Sequence, residues 1–201
     1  MAHPLPKIIV LALVTTSLTA FAAQAGDLAA RPPAPQANPS ADSVAARAAH
    51  DAEIAARQAT AAAKAAADKS RMAAGKVSRA LAQGIQRAAR KAAEAAVRFE
   101  EKAAASADKA IDQSKEAAIL ARAEARKASE LAGEALQKAD DAAKRSLQAS
   151  RQETQQAALA TREALEQAEL AMQKAAKAAA EASSKAARAL RQSVPRKRGE
   201  Q

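Results

Sequence analysis

The chain has no cysteine, no tryptophan and no tyrosine, and only two phenylalanines in 201 residues. Without cysteine there is no disulfide scaffold, no thiol nucleophile and no thiolate metal site. Histidine is almost as scarce: His3 lies in the first 25 residues, leaving His50 alone for the rest. A single histidine cannot complete a Ser/His/Asp or Cys/His set. Beside Asp51 and Glu53 it also lacks a second metal ligand at helical spacing. The five glycines are isolated, so no glycine-rich phosphate loop exists. The acid pairs Glu100-Glu101 and Asp140-Asp141 read as solvated helix positions, where no burial would raise a carboxyl pKa for proton transfer. These absences predict a protein that is not an enzyme and holds neither cofactor nor metal.

Large apolar side chains are few as well. Between Ala41 and Val194 there are twenty: Val, Ile, Leu, Met and one Phe. Most of the 49% hydrophobic content is alanine. An alanine methyl stabilises by at most about 0.8 kcal/mol on burial, against about 1.5–3 kcal/mol for leucine or phenylalanine. The composition therefore predicts no globular core.

What is present is helix-forming. Residues 55–76, AARQATAAAKAAADKSRMAAGK, are half alanine, and Lys, Arg, Glu and Gln supply most of the rest of residues 41–193. No proline occurs between 41 and 193. The fold class read from this is all-α: a long alanine-rich helix or coiled coil. Gly75, Gly84 and Gly133 are the places where it could break into two or three helices. Unbroken, about 150 residues at about 1.5 Å each would span roughly 225 Å. A rod, antiparallel hairpins and a dimer all remain open at this stage.

The flanks read differently. MAHPLPKIIVLALVTTSLTAFAAQA has one basic residue, Lys7, an apolar run from Ile8 to Ala23, and the small-x-small sequence Ala23-Gln24-Ala25. That is the pattern of an export signal cut after Ala25, and it places the chain in the periplasm or cell envelope. Residues 26–40, GDLAARPPAPQANPS, form a Pro/Ala-rich linker. Asn38 or Ser40 can cap the helical region that follows. Residues 194–201 form a basic, disordered tail.

Stepping by eleven from Val44 gives Ala55, Ala66, Val77, Ala88, Phe99, Ala110, Ala121, Ala132 and Ala143. A second column runs Ala48, Ala59, Ser70, Leu81, Ala92, Ala103, Ser114, Ala125, Leu136 and Leu147, and a third from Ala52 to Ala118. Eleven residues make close to three helical turns, so these columns form nearly straight apolar stripes. Beyond about residue 128 a 3.6-residue period fits better, through Ala157, Ala164, Ala168, Ala175 and Ala186. Acid-to-base pairs four apart support the helix: Glu53–Arg57, Glu94–Arg98, Glu134–Lys138, Asp140–Lys144, Asp141–Arg145 and Glu181–Lys185.

The repeat with alanine at positions 1, 2, 5 and 9, as in Ala55-Ala56, Ala59 and Ala63, then Ala66-Ala67, Ser70 and Ala74, resembles group 3 late embryogenesis abundant proteins. The resemblance implies stress protection by a chain that gains helix on drying or on anionic membranes. The same region also resembles the alanine-rich helical spacers of envelope-spanning Tol-type import proteins. The resulting expectation is an exported structural spacer or scaffold, with the stress protectant as its alternative.

Formal charge is +10, and +9 once Lys7 leaves with the signal. Acids interleave with bases along the helix, which together with export disfavours nucleic acid as a partner. Lys69, Lys76, Arg87, Lys91, Arg98, Lys102 and Lys109 fall together on a helical wheel. They are the candidate contact with anionic envelope lipids or polymers. The alanine stripe is the candidate surface for self-association.

Overall fold

A computed structural model describes residues 40–73, 78–148 and 151–193, with the side chains of 147–151 left out. The signal, the linker before Ser40, Lys76 and the basic tail lie outside the described residues. Within them the chain forms four helices and no strand: α1 Ala41–Arg71, α2 Arg79–Asp108, α3 Asp112–Gln148 and α4 Arg151–Ser193. At about 1.5 Å per residue these are rods of roughly 45–65 Å.

Each helix packs on the two that neighbour it in a ring: α1 on α2, α2 on α3, α3 on α4, and α4 back on α1. Cross-helix bonds fix the directions. Thr60 of α1 reaches Met172, and Arg71 reaches Glu166 and Glu169, so α1 and α4 are antiparallel. Gln86 meets Asp140 and Arg122 meets Asp108, so α2 and α3 are antiparallel. Thr161 meets Lys138 and Lys174 meets Glu124, so α3 and α4 are too. The result is an up-down-up-down four-helix bundle.

The all-α expectation holds and, of the arrangements left open, the chain folds back on itself; two of the expected glycine breaks are corrected. Gly84 lies inside α2 and Gly133 inside α3. A glycine costs a helix only about 1 kcal/mol, which tertiary packing overrides. Gly75 lies outside the described residues. The break at 72–78 ends with Ser78, whose hydroxyl caps α2 by accepting from the Leu81 N–H at 3.3 Å. The break at 109–111 contains neither glycine nor proline. There Lys109 N–H donates to the Ala105 carbonyl, and the Ile111 carbonyl accepts from both the backbone and the hydroxyl of Ser114. The start of α1 is capped by Ser40, which accepts from the Ser43 N–H.

The expectation of no core is also corrected. Buried residues from all four helices form one cluster in which Ile85, Phe99, Leu165 and Met172 are the only side chains larger than alanine. Small side chains let the helix axes approach closely, and dispersion between backbones replaces large side-chain contacts. Two threonines record that closeness. Thr60 Oγ1 donates to the Met172 carbonyl at 3.4 Å as well as to Ala56 in its own helix. Thr161 Oγ1 donates to the Lys138 carbonyl at 3.0 Å as well as to Ala157. A threonine side chain reaches a neighbouring helix's backbone only where that neighbour presents little bulk.

The second and third eleven-residue columns are mostly buried, while the column begun at Val44 mixes buried residues such as Ala66 and Phe99 with partly buried ones such as Ala55 and Ala88. Ala48, Ala59, Ser70, Ala92, Ala103, Ser114 and Ala125 of the second column are all buried. The alanine stripe offered for self-association is thus occupied inside the chain itself.

Candidate interaction groove

No three His, Cys, Asp or Glu side chains come together as a metal site among the described residues. His50 is exposed on α1. No buried side-chain nitrogen or oxygen lacks a hydrogen-bond partner among the described residues. The opening between α3 and α4, about 330 Å³, is a shallow furrow lined by Leu131, Leu170 and Ala171 under Lys127 and Lys174. Glu124 and Gln167 complete the lining, and Lys174 is paired with Glu124 at 2.7 Å. No described helix is long and apolar enough to cross a membrane.

Two charged clusters tie α1 to α4. At the end of α1, Arg71 donates to Asp68 at 2.8 Å, Glu169 at 3.0 Å and Glu166 at 3.2 Å. Arg162 also donates to Glu166, at 3.0 Å. The Arg162 hydrogen bond, followed by that from Arg71, holds the Glu166 carboxyl below its ordinary range despite some desolvation. The Glu169 carboxylate does most to raise the guanidinium of Arg71. Nearer the start of α1, desolvation opposes ionisation of Glu53. Hydrogen bonds from Ser183 of α4 and from Arg57 outweigh it, and the carboxyl titrates lower than usual. These contacts set register between helices whose buried faces are mostly alanine, with Leu165 and Met172 the large exceptions on α4.

Of the six ion pairs expected at four-residue spacing, Glu53–Arg57 and Glu181–Lys185 form. Asp140 instead accepts from Gln86 of α2 at 2.7 Å. An exposed pair gains little over solvation of its two ends, so a better partner or water displaces it.

The cations are neutralised unevenly. Arg57, Arg71, Arg122, Arg126, Arg162, Lys174 and Lys185 pair with carboxylates, whereas others on the same three helices, such as Lys64, Lys144 and Arg188, form no ion pair with a described residue. The helix α2 contributes only an acid, Asp108, to an ion pair with a described residue. Its Arg87, Lys91, Arg98 and Lys102 are exposed, and Arg87 donates only to the Gln83 carbonyl.

Their direction follows from helical geometry. Gln86 faces α3. At about 100° per residue Lys91, Arg98 and Lys102 project from the other flank of α2, the side of α1, with Arg87 at its outer edge. On α1, Glu53, Thr60 and Arg71 face α4, and Lys69 projects from the opposite flank, the side of α2. Lys109, the C-cap of α2, continues the row. The six described members of the sequence-derived set therefore line one groove, contributed by two helices, together with the exposed Asp51, which lies five turns before Lys69 on the same flank of α1. Lys69 belongs to a different helix from the other cations, so a single-helix wheel could not show that it joins them from the facing wall. Ala55 and Ala62 of α1 and Ala88 of α2 are partly buried at its base.

Among the described residues the chain is an all-α four-helix bundle with an alanine-rich core, its exposed α2 cations turned toward α1. No protein-family model matches the chain, and neither curated proteins nor solved structures contain a significant match.

Proposed function

We propose that the chain is a non-enzymatic, exported structural protein, a short rigid spacer or scaffold of the bacterial cell envelope. The observation that carries the reading is the self-satisfied bundle. Its apolar stripes face inward, its described buried polar atoms are all bonded, and its described His, Asp and Glu side chains form no metal-binding cluster. The amino-terminal apolar run with Ala23-Gln24-Ala25 supports export. A bundle of these helix lengths separates its ends by roughly 50–65 Å, much less than an unbroken helix would. Expression of the tagged full chain in a Gram-negative host tests this. The reading expects a periplasmic product whose mass begins at Gly26. A chain retained in the cytoplasm with residues 1–25 intact overturns it.

A second reading, stress protection of the late-embryogenesis type, is favoured by one feature. All but one of the buried residues of α1 are alanine, the exception being Ser70. Such a seam is marginal in water and would gain order when water is withdrawn. Circular dichroism of the full chain in dilute buffer and after drying separates the two: the scaffold is helical in both, the protectant only in the second.

A further inference from the structure

We propose that the groove between α1 and α2 binds a linear phosphate-bearing polymer that lacks nucleobases. It is lined by Lys69, Arg87, Lys91, Arg98, Lys102 and Lys109, and none of these forms an ion pair with a described residue. From Arg87 to Lys102 the row extends about 22 Å along α2, at about 1.5 Å per residue. Its members recur at spacings of four and seven residues, so they form a line along the helix. A string of regularly spaced anions is the complement of that line.

The surroundings select among anionic partners. Glu94 and Glu101 are exposed on the outward crest of α2, beside the row. A flat anionic bilayer laid against α2 would meet those carboxylates first. A strand in the groove sits on the α1 side of them. The largest apolar group exposed on that crest is Val97, and a membrane-lying face carries Leu, Phe or Trp. Nucleobases are disfavoured because Phe99, the only aromatic residue described, is buried in the core. Strand-tracking grooves hold bases by stacking on exposed aromatic rings. What remains is backbone charge alone, held over a floor of alanine by six lysines and arginines that outnumber the one described carboxylate of the groove, Asp51. The inference is independent of where in the cell the protein works.

The test uses the full chain and fluorescently labelled poly(glycerol phosphate) of about ten repeats, followed by anisotropy between low and moderate salt. Wild type is expected to bind with a steep salt dependence. Lys91→Gln with Arg98→Gln should weaken binding at least about tenfold and reduce the log–log salt slope by about 1.4, at roughly 0.7 per lost contact. Lys144→Gln with Arg145→Gln on α3 makes the same change in net charge and should leave binding within about twofold. Circular dichroism confirms that both variants keep wild-type helicity. The proposal is overturned if wild type does not bind at low salt, or if the α3 control weakens binding as much as the groove variant. It is overturned equally if oligothymidylate of matched charge binds more tightly. Anionic vesicles whose binding falls with the groove variant as steeply as the polymer's assign the site to membranes and overturn it too.

Discussion

The middle of the bundle and its chain-end half hold together differently. Counted along the helices from the Gln86–Asp140, Glu124–Lys174 and Thr60–Met172 contacts, Phe99 and Met172 lie at nearly one height, and Leu165 lies two turns, about 10 Å, nearer the start of α4. All three are fully buried or nearly so. Toward the start of α1 and the end of α4 the chain changes character. Past Met172 every buried residue of α4 is alanine, and before Ser70 so is every buried residue of α1. The middle is a small conventional core. The chain-end half is a methyl seam whose strength lies in close helix approach and in register contacts such as Glu53 with Ser183. The lesson is that one bundle can be anchored over a few middle turns and zipped elsewhere.

The sharpest way to break the comparison is Phe99→Ala. It removes the largest buried side chain and should cost about 3–5 kcal/mol, read as a fall in urea midpoint. A loss below about 1 kcal/mol would mean the middle is no anchor. Next comes Ala56→Leu in the seam, where Ala56 is fully buried. Close-packed helices have no room for three more carbons, so a loss of about 1–3 kcal/mol is expected. If the seam were loose, the leucine would fill space and raise stability instead. Smaller and opposite in sign are Gly84→Ala and Gly133→Ala. An added Cβ meets nothing within 4 Å at either position. Each should stabilise by about 0.5–1 kcal/mol in thermal melts.

The subtlest effect is on pH. Glu53 and Glu166 both titrate below the ordinary carboxylate value in the folded chain. Their contribution is complete above the unfolded-state value and is lost as pH falls through the depressed folded one. Stability should therefore be flat near neutrality and decline below about pH 4. Arg71→Met should flatten the part of that decline due to Glu166, by removing one of its two arginine partners. Hydrogen exchange along α1 and α4 at pH 7 and pH 3 reads this directly.

Much of this was legible in the sequence. Alanine columns at eleven-residue spacing marked the buried faces, and Phe99 stood in one of them. Ser40 was among the caps on offer. The turns were harder. Gly84 and Gly133 drew attention because glycine is a poor helix former, yet their small penalty cannot break a packed helix. The turn at 109–111 carries no glycine or proline, and Asp112 in the first turn of α3 was its faint mark. The groove was half legible. A helical wheel aligned its cations, but that wheel assumed one continuous helix. Only folding back brings Lys69 to the opposite wall. Absence of pairing on α2 was invisible, because Glu94 sits at ideal spacing from Arg98 without bonding to it.

The claim on which the rest stands is that α1 folds back beside α4. The chain has no native cysteine, so Lys64→Cys with Gln167→Cys admits two spin labels at known sites. Both positions are exposed. Neighbouring helix axes lie about 8–10 Å apart, so double electron–electron resonance on the monomer should show one narrow distance below about 30 Å. A single rod would put the labels about 150 Å apart, beyond detection, at about 1.5 Å per residue. That silence, or a broad featureless distribution, would contradict the bundle.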